Sequence, residues 1–361
     1  MLAAAGRNTD PAVAIRAVLA LRRRELFRTS VADLLGLLDV DQVGQALSDI
    51  TAATIAGGLA VARRTVESAR GDLPWPTAFA VIAMGRFGGY ELGYGSDADV
   101  LFVHDPLPGA AEQDATDTAH ALANELRRLL ATSGPDPQLV VDADLRPEGR
   151  QGPLVRTLAS YAAYYARWSA VWESQALLRA APIAGDADLG VRFRQLIDPM
   201  RYPADGLAES DVREIRRIKA RIEAERLPRG ADPGSHLKLG PGGLADVEWT
   251  AQLVQLRHAA EFPTLRTTRT TDTLEAAAEL GLLDVADVDT LSTAWRLATR
   301  ARNGGVLVRG RVSDSLPSDT RELAGVARML GYAPGHTGEF VEDYRRAMRR
   351  SRAIVERAFY R

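Results

Sequence analysis

At 361 residues, 46% hydrophobic and 25% charged, the chain is long enough to bury a sizeable core and is too apolar to be disordered. A net charge of −2 argues against a dominant nucleic-acid surface, and the lack of cysteine excludes disulfides, thiolate chemistry and zinc–thiolate sites. The histidines are scattered without ligand spacing, no apolar run approaches the ~20 residues of a membrane span, and the N-terminus is too short and weakly apolar for a secretory leader; a cytoplasmic location is expected.

Residues 11–70 carry helical spacing: Ala12–Arg28, Val31–Leu38 and Val43–Ser68. Gly71-Asp72-Leu73-Pro74-Trp75-Pro76 breaks the pattern. The apolar run Phe79–Met84 predicts a buried strand, the stretch Gly85–Gly89 a glycine-rich loop, and Val100–Val103 a second strand. Ala115–Thr132 reads as a helix and Leu139–Leu145 as a third strand; Ser160–Ala181 is helical and aromatic, with Trp168 and Trp172 one turn apart and expected in the core. From about residue 190 only helices are expected, with a clear stripe at Val212, Ile215, Ile218 and Ile222. The fold class expected is therefore α+β, a small mixed sheet flanked by helices and followed by an all-α bundle. Its parts would be a helical lead-in (1–73), a core (74–190) and the bundle (191–361).

Gly85, Gly88 and Gly89 let backbone approach a phosphate, although their spacing is neither that of a dinucleotide fold nor that of a P-loop. Asp97 and Asp99 lie two apart at the start of the second strand, so they share a face, as Asp142 and Asp144 do on the third. Paired carboxylates repel unless a cation sits between them. Three from neighbouring strands suit two Mg²⁺ ions, which in such sites lie roughly 3.5–4 Å apart. All but two of the 45 basic residues are arginine; the exceptions, Lys219 and Lys238, mark places where a compact ammonium is wanted. The clusters Arg22–Arg24 and Arg345–Arg350 read as solvated helix faces, and Lys238–Gly243 as a loop leading into a helix with Asp246 in its first turn.

The pattern Gly85-x-x-Gly88-Gly89 followed by Ser96-Asp97-x-Asp99 resembles the signature of DNA-polymerase-β-like nucleotidyltransferases. Within them the chain resembles the glutamine synthetase adenylyltransferase (adenylyl-transferring and adenylyl-removing) family. Met84–Leu92, Val141–Pro147, Trp172–Ala180 and Leu237–Trp249 match its blocks in order over roughly 75–330. The resemblance implies ATP as substrate, two Mg²⁺ ions, and glutamine synthetase as the protein receiving AMP, with PII signal protein and glutamine as regulators. It implies metal ligation by Asp97, Asp99 and Asp142, with Asp144 an alternative third carboxylate because the family carries arginine there. Asp142 would act as ligand or as base. Gly85, Gly88, Gly89 and Ser96 would hold the triphosphate, and Arg146, Glu173, Arg179, Lys238 and Glu248 would face the nucleotide or brace the site. Asn303-Gly304-Gly305 departs from the charged run the family has there. The family protein has two such halves, and an amphipathic helix running to Tyr360-Arg361 favours the C-terminal, adenylylating one. The phosphorolytic half and a non-catalytic nucleotide-sensing module are the alternatives.

Overall fold

The computed structural model describes residues 1–227, 230 and 232–360. Three helices open the chain: α1 (Leu2–Gly6), α2 (Pro11–Leu34) and α3 (Val40–Arg70). Asp10 caps α2 with Pro11 at its first position, and Asp39 and Gln42 form a reciprocal capping box on α3. The break expected before Val31 does not occur; α2 runs on to Leu34 and ends at Gly36, whose φ is +67°. By length and composition α3 is apolar enough to cross a membrane, which corrects the expectation that no such run exists. Its apolar residues are spent instead on the packed core.

Strand β1 (Thr77–Ala83) leads into a one-turn helix, α4 (Gly85–Gly88), where a loop is expected, and β2 (Ala98–Pro106) returns antiparallel to β1. After α5 (Glu112–Leu130), β3 (Val141–Asp142) and β4 (Val155–Thr157) both pair in parallel with β2. Helices α6 (Leu158–Trp168) and α7 (Val171–Leu177) precede β5 (Ala181–Gly185), which pairs antiparallel with β1. Helix α8 (Ala187–Arg201) follows. Both faces of the sheet are covered, which explains why β1 and β2 read as continuous apolar runs. Phe79, Val81, Val100 and Phe102 face the core shared with α2, α3 and α5, while Ala80, Ile82, Leu101 and Val103 face Tyr161, Leu189 and Phe193. The third strand is two residues long rather than the expected seven, and β4 and β5 are additional to the strands read from sequence.

Trp168 and Trp172 are not core residues. They lie on separate helices, α6 and α7, and remain 64% and 41% exposed. Arg22 is buried rather than solvated and donates to the Pro137 carbonyl at 3.0 Å, whereas Arg345, Arg346, Arg349 and Arg350 are exposed as expected.

The bundle comprises α9 (Glu209–Arg226), α10 (Leu244–His258), α11 (Thr270–Glu279), α12 (Val285–Arg309), α13 (Thr320–Met329) and α14 (Thr337–Ala358). It has a core of its own around Val212, Ile215, Val247, Leu291, Trp295, Tyr344 and Val355. Arg361, at the end of the expected final segment, lies outside the described residues.

Candidate active site

The site is built where β2 begins. Ala98 donates to the Val140 carbonyl at 2.9 Å and Met84 donates to the Asp99 carbonyl at 2.8 Å, so the Asp99 backbone is clamped between β1 and β3. The parallel register sets Asp99 opposite Asp142. Asp97 precedes the strand and is exposed; Asp99 and Asp142 are half-buried. The Asp99 carboxyl is pushed up to about 6, first by burial and then by Asp142, Asp97 and Asp144, against the pull of Lys238. Four carboxylates and one ammonium therefore share one field at this end of the sheet. Among the described residues, no three acidic or histidine groups stand close enough together to hold a metal ion by themselves.

Asp142 and Asp144 do not share a strand face. Alternation holds only while the chain is extended, and β3 ends at Asp142. The Asp144 backbone N–H turns back to Asp142 Oδ1 at 2.7 Å, and its carboxylate accepts from Arg150 at 2.6 Å, with Arg146 at 3.5 Å. Asp142 thus stays in register with Asp99, while Asp144 is tied to arginines.

The glycines divide into two roles. Gly85 has a φ of +53°, and a Cβ there would stand 2.6 Å from Asp99 Oδ2, so the acid rests directly on this residue. Gly88 and Gly89 already donate their N–H groups, to Met84 O at 2.9 Å and Gly85 O at 3.1 Å. Those N–H groups are not free for phosphate, contrary to the sequence expectation. A Cβ on Gly88 would fall 1.7 Å from the Arg179 carbonyl, so this glycine lets the strand end before β5 pass. Ser96 closes a tight turn, its hydroxyl accepting from Gly93 N at 3.3 Å. Asn303 of α12 clasps that turn, with Oδ1 3.3 Å from Tyr94 N, in the segment that departs from the family pattern.

The remaining expected residues separate by burial. Arg146 is buried and donates to the carbonyls of Ala143, Arg150 and Gly152, fixing the loop after Asp142. Glu173 caps α7 through the Ala170 N–H at 2.8 Å, and burial pushes its carboxyl up. Arg179 is buried between Glu91, at 2.7 Å, and Thr270. Glu248 is half-buried, and Arg179, Arg86 and Lys238 outweigh desolvation and hold its carboxyl below the usual range. Of these expected residues, Arg146, Glu173 and Arg179 are buried and Glu248 half-buried, whereas Lys238 is exposed and lies in the acid field.

Lys238 sits on a loop pinned from behind. Asp246 accepts from Gly242 N at 2.6 Å, from Arg352 at 3.0 Å and from the buried Lys219, which also reaches Glu223. Gly242, at φ +77°, passes so close to α14 that a Cβ would lie 2.0 Å from the Met348 carbonyl. Sequence reasoning assigns no role to Arg86 and Glu91, although both lie in the Met84–Leu92 block, and none to Thr270, which no motif marks; the partners of Glu91 come from distant segments.

A helix-flanked mixed sheet with facing acids on the adjoining strands β2 and β3 defines an α+β protein of the nucleotidyltransferase kind. Two family models match the chain. That for glutamate-ammonia ligase adenylyltransferase covers residues 2–196, and that for GlnD PII-uridylyltransferase covers residues 216–359. The chain belongs to the glutamate-ammonia ligase adenylyltransferase family. It is 59% identical to a bifunctional glutamine synthetase adenylyltransferase/adenylyl-removing enzyme of Streptomyces avermitilis, over 100% of this chain and 37% of that protein. Proteins of the same description from Nocardia farcinica and Mycobacterium tuberculosis are 55% and 53% identical over 99% of this chain and 36% of theirs. The chain thus spans little more than a third of the length of these relatives.

Proposed function

We propose that this chain transfers AMP from ATP to a tyrosine hydroxyl of glutamine synthetase, as the adenylylating half of a longer cytoplasmic protein. The observation that carries the reading is the register pairing of Asp99 with Asp142, with Lys238 in the same field. The matching family model is described as an adenylyltransferase, and the relatives' description carries both transfer and removal. The organisation proposed is a helical lead-in (1–73) seated on a nucleotidyltransferase core (74–190), with the bundle (191–361) as the second wall of the cleft. The bundle's match to a PII-uridylyltransferase model supports PII signal protein as a regulator. Glutamine as a second regulator rests on the family resemblance alone.

The donor set is all oxygen, and its charges crowd until the Asp99 carboxyl is pushed up to about 6, which suits a hard cation. Mg²⁺ is commonly held by one or two carboxylates completed by substrate phosphates, the number that Asp99 and Asp142 supply. Asp99 and Asp142 would hold it, with Asp97 at the exposed rim. Bound Mg²⁺ supplies neutralisation of the triphosphate and of the departing pyrophosphate. Lys238 would add a mobile positive charge for the phosphates. The attacking tyrosine, with an ordinary pKa of about 10, must lose its proton as its oxygen bonds to the α-phosphorus and the bond to pyrophosphate breaks. Asp142 would accept that proton.

Asp99→Asn and Asp142→Asn are expected to abolish transfer while the circular dichroism spectrum and melting temperature stay close to those of the parent. Near-parental transfer by either variant contradicts the site.

A further inference from the structure

We propose that the cavity between α7, α9 and α10, about 450 Å³ in volume, is the pocket for the adenine base of the nucleotide. This deepens the reading above and rests on it. Leu145, Trp172, Gln175, Ile222, Trp249 and Gln252 line the cavity. Leu145 is the third residue after Asp142, and three residues of extended chain span at most about 10 Å, the scale of a nucleoside monophosphate. The opposite wall comes from α10, the helix that follows the Lys238 loop. One element pair therefore supplies both the acid field and the cavity.

The lining suits a purine. Trp172 leaves 41% of its surface uncovered, and an indole exposed in a cavity offers a face on which a base can stack. Gln175 is only 5% exposed. Its amide nitrogen donates to Gln252 Oε1 at 2.7 Å, and its carbonyl oxygen is buried without a partner. A buried orphan acceptor calls for a donor that the protein does not supply. The exocyclic amine of adenine is such a donor, and the amide nitrogen of Gln252 is left available for a ring nitrogen. Glutamine reads adenine through this donor-and-acceptor pairing. Reversing both amides exchanges the roles but preserves one donor and one acceptor.

The test compares binding of ATP, UTP and inorganic tripolyphosphate to the whole chain by calorimetry in Mg²⁺. Trp172→Ala is expected to weaken ATP binding about tenfold or more, the scale of one lost base stack, and to leave tripolyphosphate unchanged. Gln252→Leu, at a half-buried position, is expected to erode the preference for ATP over UTP, again without touching tripolyphosphate. ATP affinity at the parental level in both variants overturns the pocket while leaving the proposed activity standing. Equal losses for ATP and tripolyphosphate also overturn it, since they report a structural defect. A parent chain that binds neither ligand sinks the nucleotide reading itself.

Discussion

At the scale of single residues, the site turns on which side chains keep company with Asp99. Asp99 was legible as the start of an apolar strand, but Asp97 precedes β2, so alternation does not fix the face of its side chain. The choice between Asp142 and Asp144 was not legible. It depends on where β3 stops, and that is set by pairing with β2 and by Arg146 and Arg150. The glycine motif was legible as a constraint but not as a role: Gly85 makes room for Asp99, whereas Gly88 makes room for a backbone carbonyl from a strand end unseen in the sequence. Lys238→Ala tests the free ammonium. Removing a charge aimed at the triphosphate is expected to lower kcat about a hundredfold while the melting temperature holds. An unchanged rate would place Lys238 outside the chemistry.

Elements position these residues through contacts that cross the sequence. Gly88→Ala puts a methyl group against the Arg179 and Ala83 carbonyls, 1.7 and 2.7 Å away, neither of which can swing aside. We expect a loss of about 3 kcal/mol or more in denaturant unfolding, at the upper end of overpacking costs. A melt within experimental error of the parent would show that the strand end before β5 has room to move.

The loop carrying Lys238 is held in a different way. Burial pushes the Asp246 carboxyl up, but Lys219, Gly242 and Arg352 outweigh it and hold it below the ordinary carboxylate range. Its stabilisation is therefore complete above the unfolded-state value of about 4 and fades as pH falls through the lower folded value. Asp246→Asn leaves Lys219 short of a buried partner and is expected to cost about 3 kcal/mol at neutral pH. It should also flatten the acid limb of the stability profile. An acid limb as steep as the parent's contradicts this account of the loop. That both lysines in an arginine-rich chain serve this one region was hinted at by composition, yet only the fold shows that Lys219 stands behind the loop and Lys238 in front of it.

Across the whole molecule, the apolar residues sort into a core on each face of the sheet and a separate one in the bundle. Helices α1–α3 share the core of the sheet, and the bundle packs around its own. The helical periodicity of the bundle was plain because amphipathic helices repeat locally. Strands β4 and β5 were not, since three to five residues that pair with distant partners leave no periodic trace. The group of buried Glu91, Arg179 and Thr270 with half-buried Arg86 and Glu248 couples sheet to bundle and belongs to the same class of non-local information. The central claim is that this two-part molecule is a catalyst that acts on a protein tyrosine. Incubation with ATP labelled at the α-phosphorus, Mg²⁺ and unmodified glutamine synthetase measures it most directly. The account predicts label on a tyrosine of the synthetase, lost when the ion is chelated. Tight Mg²⁺-dependent ATP binding with no label on the synthetase would contradict it, as would ADP release from adenylylated synthetase and phosphate in place of labelling.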